Sequence, residues 1–342
     1  MKKFFAFAAI ILSIMVVSCK KDNTPSNPSG DPSSEPTVVD KTPLIGLIAE
    51  CEVILSEATT DRFPQTAIDA FKAAVETAKK ASDAATTDDA VKNIVTQLTT
   101  AKETFLAAEI GAIPADALAW AIDFEANANE FKTSGKNQWD AKLVAGSDGL
   151  PTYVEGHKQG SKGMQFGGAS YIQIANAVPS VVESNTFSIA VWVNTPINEN
   201  NYIVSWDKWN SWKFQTQSTN KAFLTVKVQD GESGKYIEHD SNTEIPENEW
   251  THVVVTLDLV NGTEIYYING ENVMEWNKDN EDKLAAKNQQ IVPAAEGIKL
   301  LVGIQEENPE TSGYFVGKMD DLAFYTIALD GGQVSKLYND QK

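Results

Sequence analysis

The chain has 342 residues, enough for two or three domains, and its 42% hydrophobic content is ordinary for a globular protein with a buried core. It carries 47 Asp and Glu against 28 Lys and Arg, a formal charge of -19. So acidic a surface repels phosphate backbones and anionic headgroups, which argues against nucleic acid as a partner.

Lys2 and Lys3 precede an apolar run from Phe4 to Val17, then Ser18 and Cys19. This is a charged n-region, a short h-region and a small residue at the cut. The run is too short for a stable transmembrane span of roughly 20 residues. Val16-Val17-Ser18-Cys19 resembles the bacterial lipobox. That resemblance implies a lipoprotein signal peptide over 1–18 and a mature chain held to a membrane by the acylated Cys19. Residues 19–42 place Pro25, Pro28, Pro32 and Pro36 among Ser, Asp and Asn. Such a segment has too little apolar surface to fold and is expected to be a disordered tether.

Residues 43–109 are helical in pattern. The first helix carries Leu44, Ile48, Cys51 and Leu55 on one stripe. With Cys19 acylated, Cys51 has no disulfide partner and reads as a small core residue. The second helix begins at Pro64 and aligns Ile68, Phe71, Val75 and Ala78. The third follows Thr87, an N-cap with Asp88 and Asp89 near the positive helix end, and shows Val91, Ile94, Val95, Leu98 and Phe105. Three amphipathic helices with short joins make an antiparallel bundle. The region, with the stretch from Arg62 to Glu109 as its most telling part, resembles over roughly Leu44 to Glu109 the FIVAR module, a three-helix unit of bacterial cell-surface proteins, which implies a spacer or weak binding module.

From 115 to 342 the pattern changes to strands. "TFSIAVWV" puts Phe187, Ile189, Val191 and Val193 on one face, and "WTHVVVTLDL" alternates in the same way. Asn269-Gly270 is a hairpin dipeptide. Further strands are expected at Met164 to Ile174, Tyr202 to Trp206, Trp212 to Gln217, Phe223 to Val228, Ile298 to Gly303 and Tyr314 to Tyr325. So many strands at regular spacing predict a two-sheet antiparallel sandwich. "GMQFGGASYIQI", "FSIAVWV", "WTHVVVTLD", "IYYINGENV" and "GYFVGKMDDLAFYTIALDGGQVSKLYN" occur in the order seen in laminin G-like domains of the concanavalin A-like lectin/glucanase superfamily. With the lipobox and the FIVAR-like bundle, the chain resembles the surface lipoproteins of Bacteroides-type gut bacteria. The resemblance implies a multidomain protein, a three-helix bundle followed by an all-β jelly-roll sandwich, often with carbohydrate recognition and sometimes with a structural calcium.

The catalytic branch of that superfamily uses an ExDxE or ExDxxE strand, because alternate strand positions share a face and a retaining mechanism needs two carboxyls about 5 Å apart. No such pattern occurs here, so a non-catalytic protein is expected. His157, His239 and His252 have no ligand-spaced neighbours, and no HExxH or nucleophile elbow accompanies them. Calcium takes six to eight oxygens. Asp123, Asn127 and Asn129 near the start of the sandwich would meet Asp320 and Asp321 near its end if the first and last strands pair, as they do in the resembled fold.

In "SWDKWNSWKF" a hairpin would face Trp206 with Trp212 as packing residues. Trp209 falls at the turn, among Asp207, Lys208, Asn210 and Ser211, where nothing local can bury it. An exposed indole offers an apolar plate to the C–H face of a sugar. Asp207, Asn210, Lys213 and Gln215 would bond its hydroxyls, and Trp139 and Trp276, also in polar contexts, are further candidates. The expected protein is an outer-membrane lipoprotein at the cell surface that binds a poly- or oligosaccharide, with a protein partner in a surface glycan-uptake complex. The leaflet is left open, since Lys20 and Lys21 follow Cys19 with one acid, Asp22. The alternatives are a protein-binding adhesion or scaffold module, and a glycoside hydrolase whose site has no sequence signature.

Overall fold

A computed structural model describes residues 39–60, 62–178, 185–230, 233–281, 284, 289–307 and 313–342. The expected signal peptide, Cys19 and the tether up to residue 38 lie outside them. Three helices come first, α1 (Thr42–Glu57), α2 (Gln65–Ala84) and α3 (Asp88–Ala107). Pro64 caps α2, and the Thr87 hydroxyl accepts from the Ala90 N–H at the start of α3. These helices share a core in which the Phe105 ring stacks on Phe63 at 4.2 Å and on Phe71 at 4.5 Å. Cys51 is buried there, and burial raises its pKa, so the thiol packs as an apolar group. No helix among the described residues is long and apolar enough to cross a membrane.

Two antiparallel sheets follow and form a sandwich. The first runs, in spatial order, Glu271–Asn277, Thr263–Ile268, Thr251–Asp258, Thr186–Asn194, Gly317–Tyr325, Lys162–Phe166 and Thr152–Glu155, with Leu118–Ile122 also paired to Gly317–Tyr325. The second runs Ser233–Glu244, Lys221–Asp230, Trp212–Gln217, Asn201–Trp206, Leu300–Val302, Tyr171–Ile174, Asp140–Val144 and Glu130–Lys132, with Gln290–Ile291 paired to Lys221–Asp230. The inner faces interdigitate as alternation dictates. Trp206 and Trp212 lie opposite each other, fully buried, with ring centroids 6.2 Å apart, and Trp212 stacks on Phe324 from the other sheet at 5.3 Å.

Two elements differ from expectation. Met164 to Ile174 is not one strand: Lys162–Phe166 belongs to the first sheet and Tyr171–Ile174 to the second. The chain changes sheets at 167–170, where Gly168 has φ 55° and a Cβ would lie 2.5 Å from the Asp148 carboxyl carbon. A fourth helix, α4 (Gly331–Gln341), is capped by a reciprocal pair of bonds between Asp330 and Gln333. Its Val334 packs with Ala117, Val254 and Tyr267 on the outside of the first sheet.

Candidate functional site

Strand alternation gives the second sheet two faces. Trp212, Phe214, Leu224, Val226, Val204 and Leu300 enter the core. Their neighbours point away from it. A cross-strand row on that outer face reads Glu238, Thr225, Lys213, Ser205, Leu301, Gln173. Tyr202 and Gln215 sit opposite one another in the next row.

The turn between Trp206 and Trp212 folds over this face. Asp207 and Lys208 adopt φ of 55° and 43°, two successive left-handed residues without glycine, followed by a short 3-10 turn over Lys208–Asn210. Asp207 Oδ2 accepts from the Ala295 N–H at 2.9 Å and Oδ1 from Asn210 Nδ2 at 3.1 Å, which holds the turn. Trp209 lies 42% exposed. The Tyr236 ring meets it edge-on at 6.0 Å, and the Lys213 ammonium is 3.8 Å from its ring centroid. A cation against an indole face at that distance is worth about 2 kcal/mol when desolvated.

Across from Trp209, Ile298 is 43% exposed, placed by its carbonyl accepting from Trp206 Nε1 at 3.2 Å. Between them opens a cleft of about 310 Å³, bordered also by Leu301, Gln305, Glu306 and Glu307. Lys208 reaches Glu306 at 3.0 Å, and Gln173 Nε2 donates to Glu307. Ile298 and Gln305–Glu307 were not expected at the site. They come from a segment some 90 residues beyond the turn, brought to it by the pairing of Leu300–Val302 with Asn201–Trp206 and held there by the Ala295–Asp207, Trp206–Ile298 and Lys208–Glu306 contacts.

Of the residues expected to form a polar rim, Asn210 is exposed and Asp207 holds the turn. Lys213 and Gln215 are not at the surface, at 2% and 1% exposure, because alternation puts them on the face that the turn covers. Lys213 donates to Gln215 Oε1 at 3.0 Å and to Tyr202 Oη at 3.4 Å, and burial pulls its pKa down to about 8. Burial, helped by Glu306, pushes Tyr202 up to about 12. Trp139 and Trp276, expected as further stacking residues, are both placed elsewhere. Trp139 is buried in the core, edge-on to Trp206 at 6.1 Å. Trp276 is half-buried, stacked on His239 at 4.8 Å, with Nε1 donating to the Asp240 carbonyl.

The residues expected to hold calcium are only partly brought together. Leu118–Ile122 pairs with Gly317–Tyr325, which brings Asp123 toward Asp321. The ligand atoms that do converge, within 4.8 Å, belong instead to His157, Asp320 and Asp321. Asp320 is fully engaged: Oδ2 accepts from His157 Nδ1 at 2.7 Å and from the His157 N–H at 3.1 Å, and Oδ1 accepts from the Asp321 N–H at 2.9 Å. His157 Nε2 lies 3.1 Å from the Gln341 carbonyl. Burial opposes charge on His157, but Asp320 and that carbonyl outweigh it and raise its pKa. Burial, with Asp320 beside it, lifts Asp321 to about 6. Asn127 and Asn129 stay exposed. Both His157 ring nitrogens face oxygen acceptors and Asp320 is taken up by N–H donors, so the cluster that converges, one imidazole with two carboxylates, differs from the all-oxygen shell that calcium prefers.

Residues 166–335 match the family model Laminin_G_3, described as the concanavalin A-like lectin/glucanases superfamily. No curated protein matches the chain. Among solved structures, the chain is similar to domain 4 of an extracellular arabinanase from Geobacillus stearothermophilus, in complex with arabinotriose, at 20% identity and TM-score 0.49, covering 66% of this chain and 100% of that one. It is also similar to the binding domain of botulinum neurotoxin DC, in complex with rat synaptotagmin II, at 15% identity and TM-score 0.45, covering 67% and 52%. With two antiparallel sheets packed as a sandwich that starts at Leu118, the chain has the fold of the concanavalin A-like lectin/glucanases superfamily, whose model residues 166–335 match.

Proposed function

We propose that the chain is a non-catalytic carbohydrate-binding lipoprotein that captures a poly- or oligosaccharide in the cleft beside Trp209. The observation that carries this reading is an indole left 42% exposed, held from beneath by the Lys213 ammonium, with Ile298 opposite it. Two apolar plates with amide and carboxylate groups between them suit a pyranose or furanose, which offers C–H faces and a rim of hydroxyls. Among the described residues the exposed large apolar side chains at the cleft are these two, which favours a sugar over the broad apolar patch that an adhesion partner needs. In this reading Cys19 carries the lipid that anchors the chain in the outer membrane, residues 43–109 act as a FIVAR-like spacer, and the β-domain faces the glycan, alongside partners in an uptake complex.

The test is titration of the purified chain against a panel of plant, host and microbial glycans, beside Trp209→Ala. The variant is expected to weaken binding about 30-fold, the loss of roughly 2 kcal/mol typical of a central aromatic anchor. A folded wild-type chain that binds no glycan would refute the reading.

A further inference from the structure

The groups around the cleft divide into those already engaged and those left over. Its three carboxylates are engaged: Asp207 by the Ala295 N–H and the Asn210 amide, Glu306 by Lys208, Glu307 by Gln173. The cations are not balanced in the same way. Lys213 is 2% exposed, and its hydrogen-bond acceptors, Gln215 Oε1 and Tyr202 Oη, are both neutral. Among the described residues no carboxylate lies within 4.0 Å of it or of Lys299, which borders the cleft. Glu238, two strands along the same row, is the carboxylate that acts on Lys213, and it offsets only part of the effect of burial. A buried cation with no carboxylate in contact is costly.

The atoms beside Lys213 add a second, independent observation. Ser205 Oγ, Thr225 Oγ1 and Gln215 Nε2 are buried and have no hydrogen-bond partner. Ser205 and Thr225 flank Lys213 directly in the cross-strand row, and Gln215 is two residues along the same strand. Each of these can donate a hydrogen bond. The row is continuous with the cleft, because Leu301, which borders the cleft, is the cross-strand neighbour of Ser205. The Trp209 ring lies over the Lys213 ammonium at 3.8 Å and the Tyr202 ring at 5.1 Å, and the Trp209 turn carries two left-handed non-glycine residues, a strained conformation.

We infer that the sugar taken by this cleft carries an anionic substituent, a carboxylate or a sulfate ester, whose oxygens pass under the edge of Trp209 to Lys213, Ser205 and Gln215. This rests on the glycan reading of the same cleft. The chain's net charge of -19 and the carboxylates of Asp207, Glu306 and Glu307 at the cleft work against an anion, so the contacts at Lys213 have to outweigh them; charges beyond about 8 Å are screened at physiological salt. Lys213 sits low, at about 8, because of burial. It is therefore charged at neutral pH, and an anion beside it loses its partner as pH rises past that value.

The experiment compares polygalacturonate (carboxylate), dextran sulfate (sulfate), and amylopectin and arabinan (neutral) on the full chain, at two salt concentrations and from pH 6.5 to 9.5. Lys213→Met and Lys299→Gln are run beside the wild type. Methionine nearly matches the lysine stem in a buried site, and Lys299→Gln is a half-buried change that serves if the first variant misfolds. The expected result is binding to one acidic polymer that weakens with salt and above pH 8, at least tenfold weaker in Lys213→Met and several-fold weaker in Lys299→Gln. Which polymer binds identifies the anionic group. Binding of neutral polymers alone, or acidic binding indifferent to both lysines, overturns the inference and leaves the glycan reading standing. Binding to no polymer here or in the wider panel overturns both.

Discussion

Glu264→Ala is expected to destabilise the β-domain by about 3–5 kcal/mol, the cost of removing one partner from a buried ion pair. Glu264 is fully buried between the sheets. Its Oε2 lies 2.6 Å from His239 Nδ1, and its Oε1 accepts from Tyr266 Oη at 2.6 Å. Tyr266 Oη also accepts from the Leu224 N–H, so the network ties the strand Thr263–Ile268 of one sheet to Lys221–Asp230 of the other. On the open side Glu281 stands 3.2 Å from His239 Nε2, and Trp276 covers the ring. Burial alone would pull the His239 pKa down, but Glu264 and Glu281 together raise it. The stabilisation from that charge is complete below the imidazole's unfolded value, about 6.5, and is lost as pH rises through the folded value. Removal of Glu264 leaves an imidazolium in the sandwich with one half-exposed carboxylate. Urea unfolding of the β-domain measures the loss. A change below about 1 kcal/mol would mean that water already reaches this pair.

His252→Phe is expected to shift stability in the opposite pH direction. His252 is fully buried, with its ring 5.2 Å from Trp192 and 5.9 Å from Tyr338, and neither ring nitrogen has a hydrogen-bond partner. Burial, with the nearby His157, holds its pKa at about 3. Between that value and about 6.5 the unfolded chain binds a proton that the folded chain refuses, so folding stability falls as pH falls through this window. At pH 4 the penalty is about 3 kcal/mol. Phenylalanine keeps the aromatic packing and removes the proton, so the variant should gain about that much over wild type at pH 4 relative to pH 7. Equal differences at the two pH values would contradict the burial of a neutral imidazole here.

The bundle was legible in the sequence because its signals are local. Pro64, Thr87 and the spacing of Phe71, Val75, Val91 and Leu98 each fix a helix start or face within a few residues. The strands were legible for the same reason, and so was the facing of Trp206 and Trp212 once a hairpin joined them. The change of sheet at 167–170 was not, since alternation on either side of Gly168 looks like one strand. At the cleft, the polar neighbours of Trp209 announced its exposure, but the polar neighbours of Trp139 gave a false signal: Trp206, which buries it, is distant in sequence. Lys213 and Gln215 were expected at the surface, although alternation with Trp212 and Phe214 already placed them on the opposite face. What sequence could not give was that the turn folds back over that face. Ile298 and Glu306 were equally invisible, because strand pairing and contacts made far along the chain bring them to the turn.

The most direct test of the central claim is a titration followed by the indole N–H resonances of the 15N-labelled chain, with the glycan that binds tightest in the panel. Trp209 should move first and furthest, while the buried Trp120, Trp139 and Trp212 stay in place. Shifts centred on Trp276 or Trp250 with Trp209 unmoved, or no shift with any glycan, would contradict a sugar site at this turn.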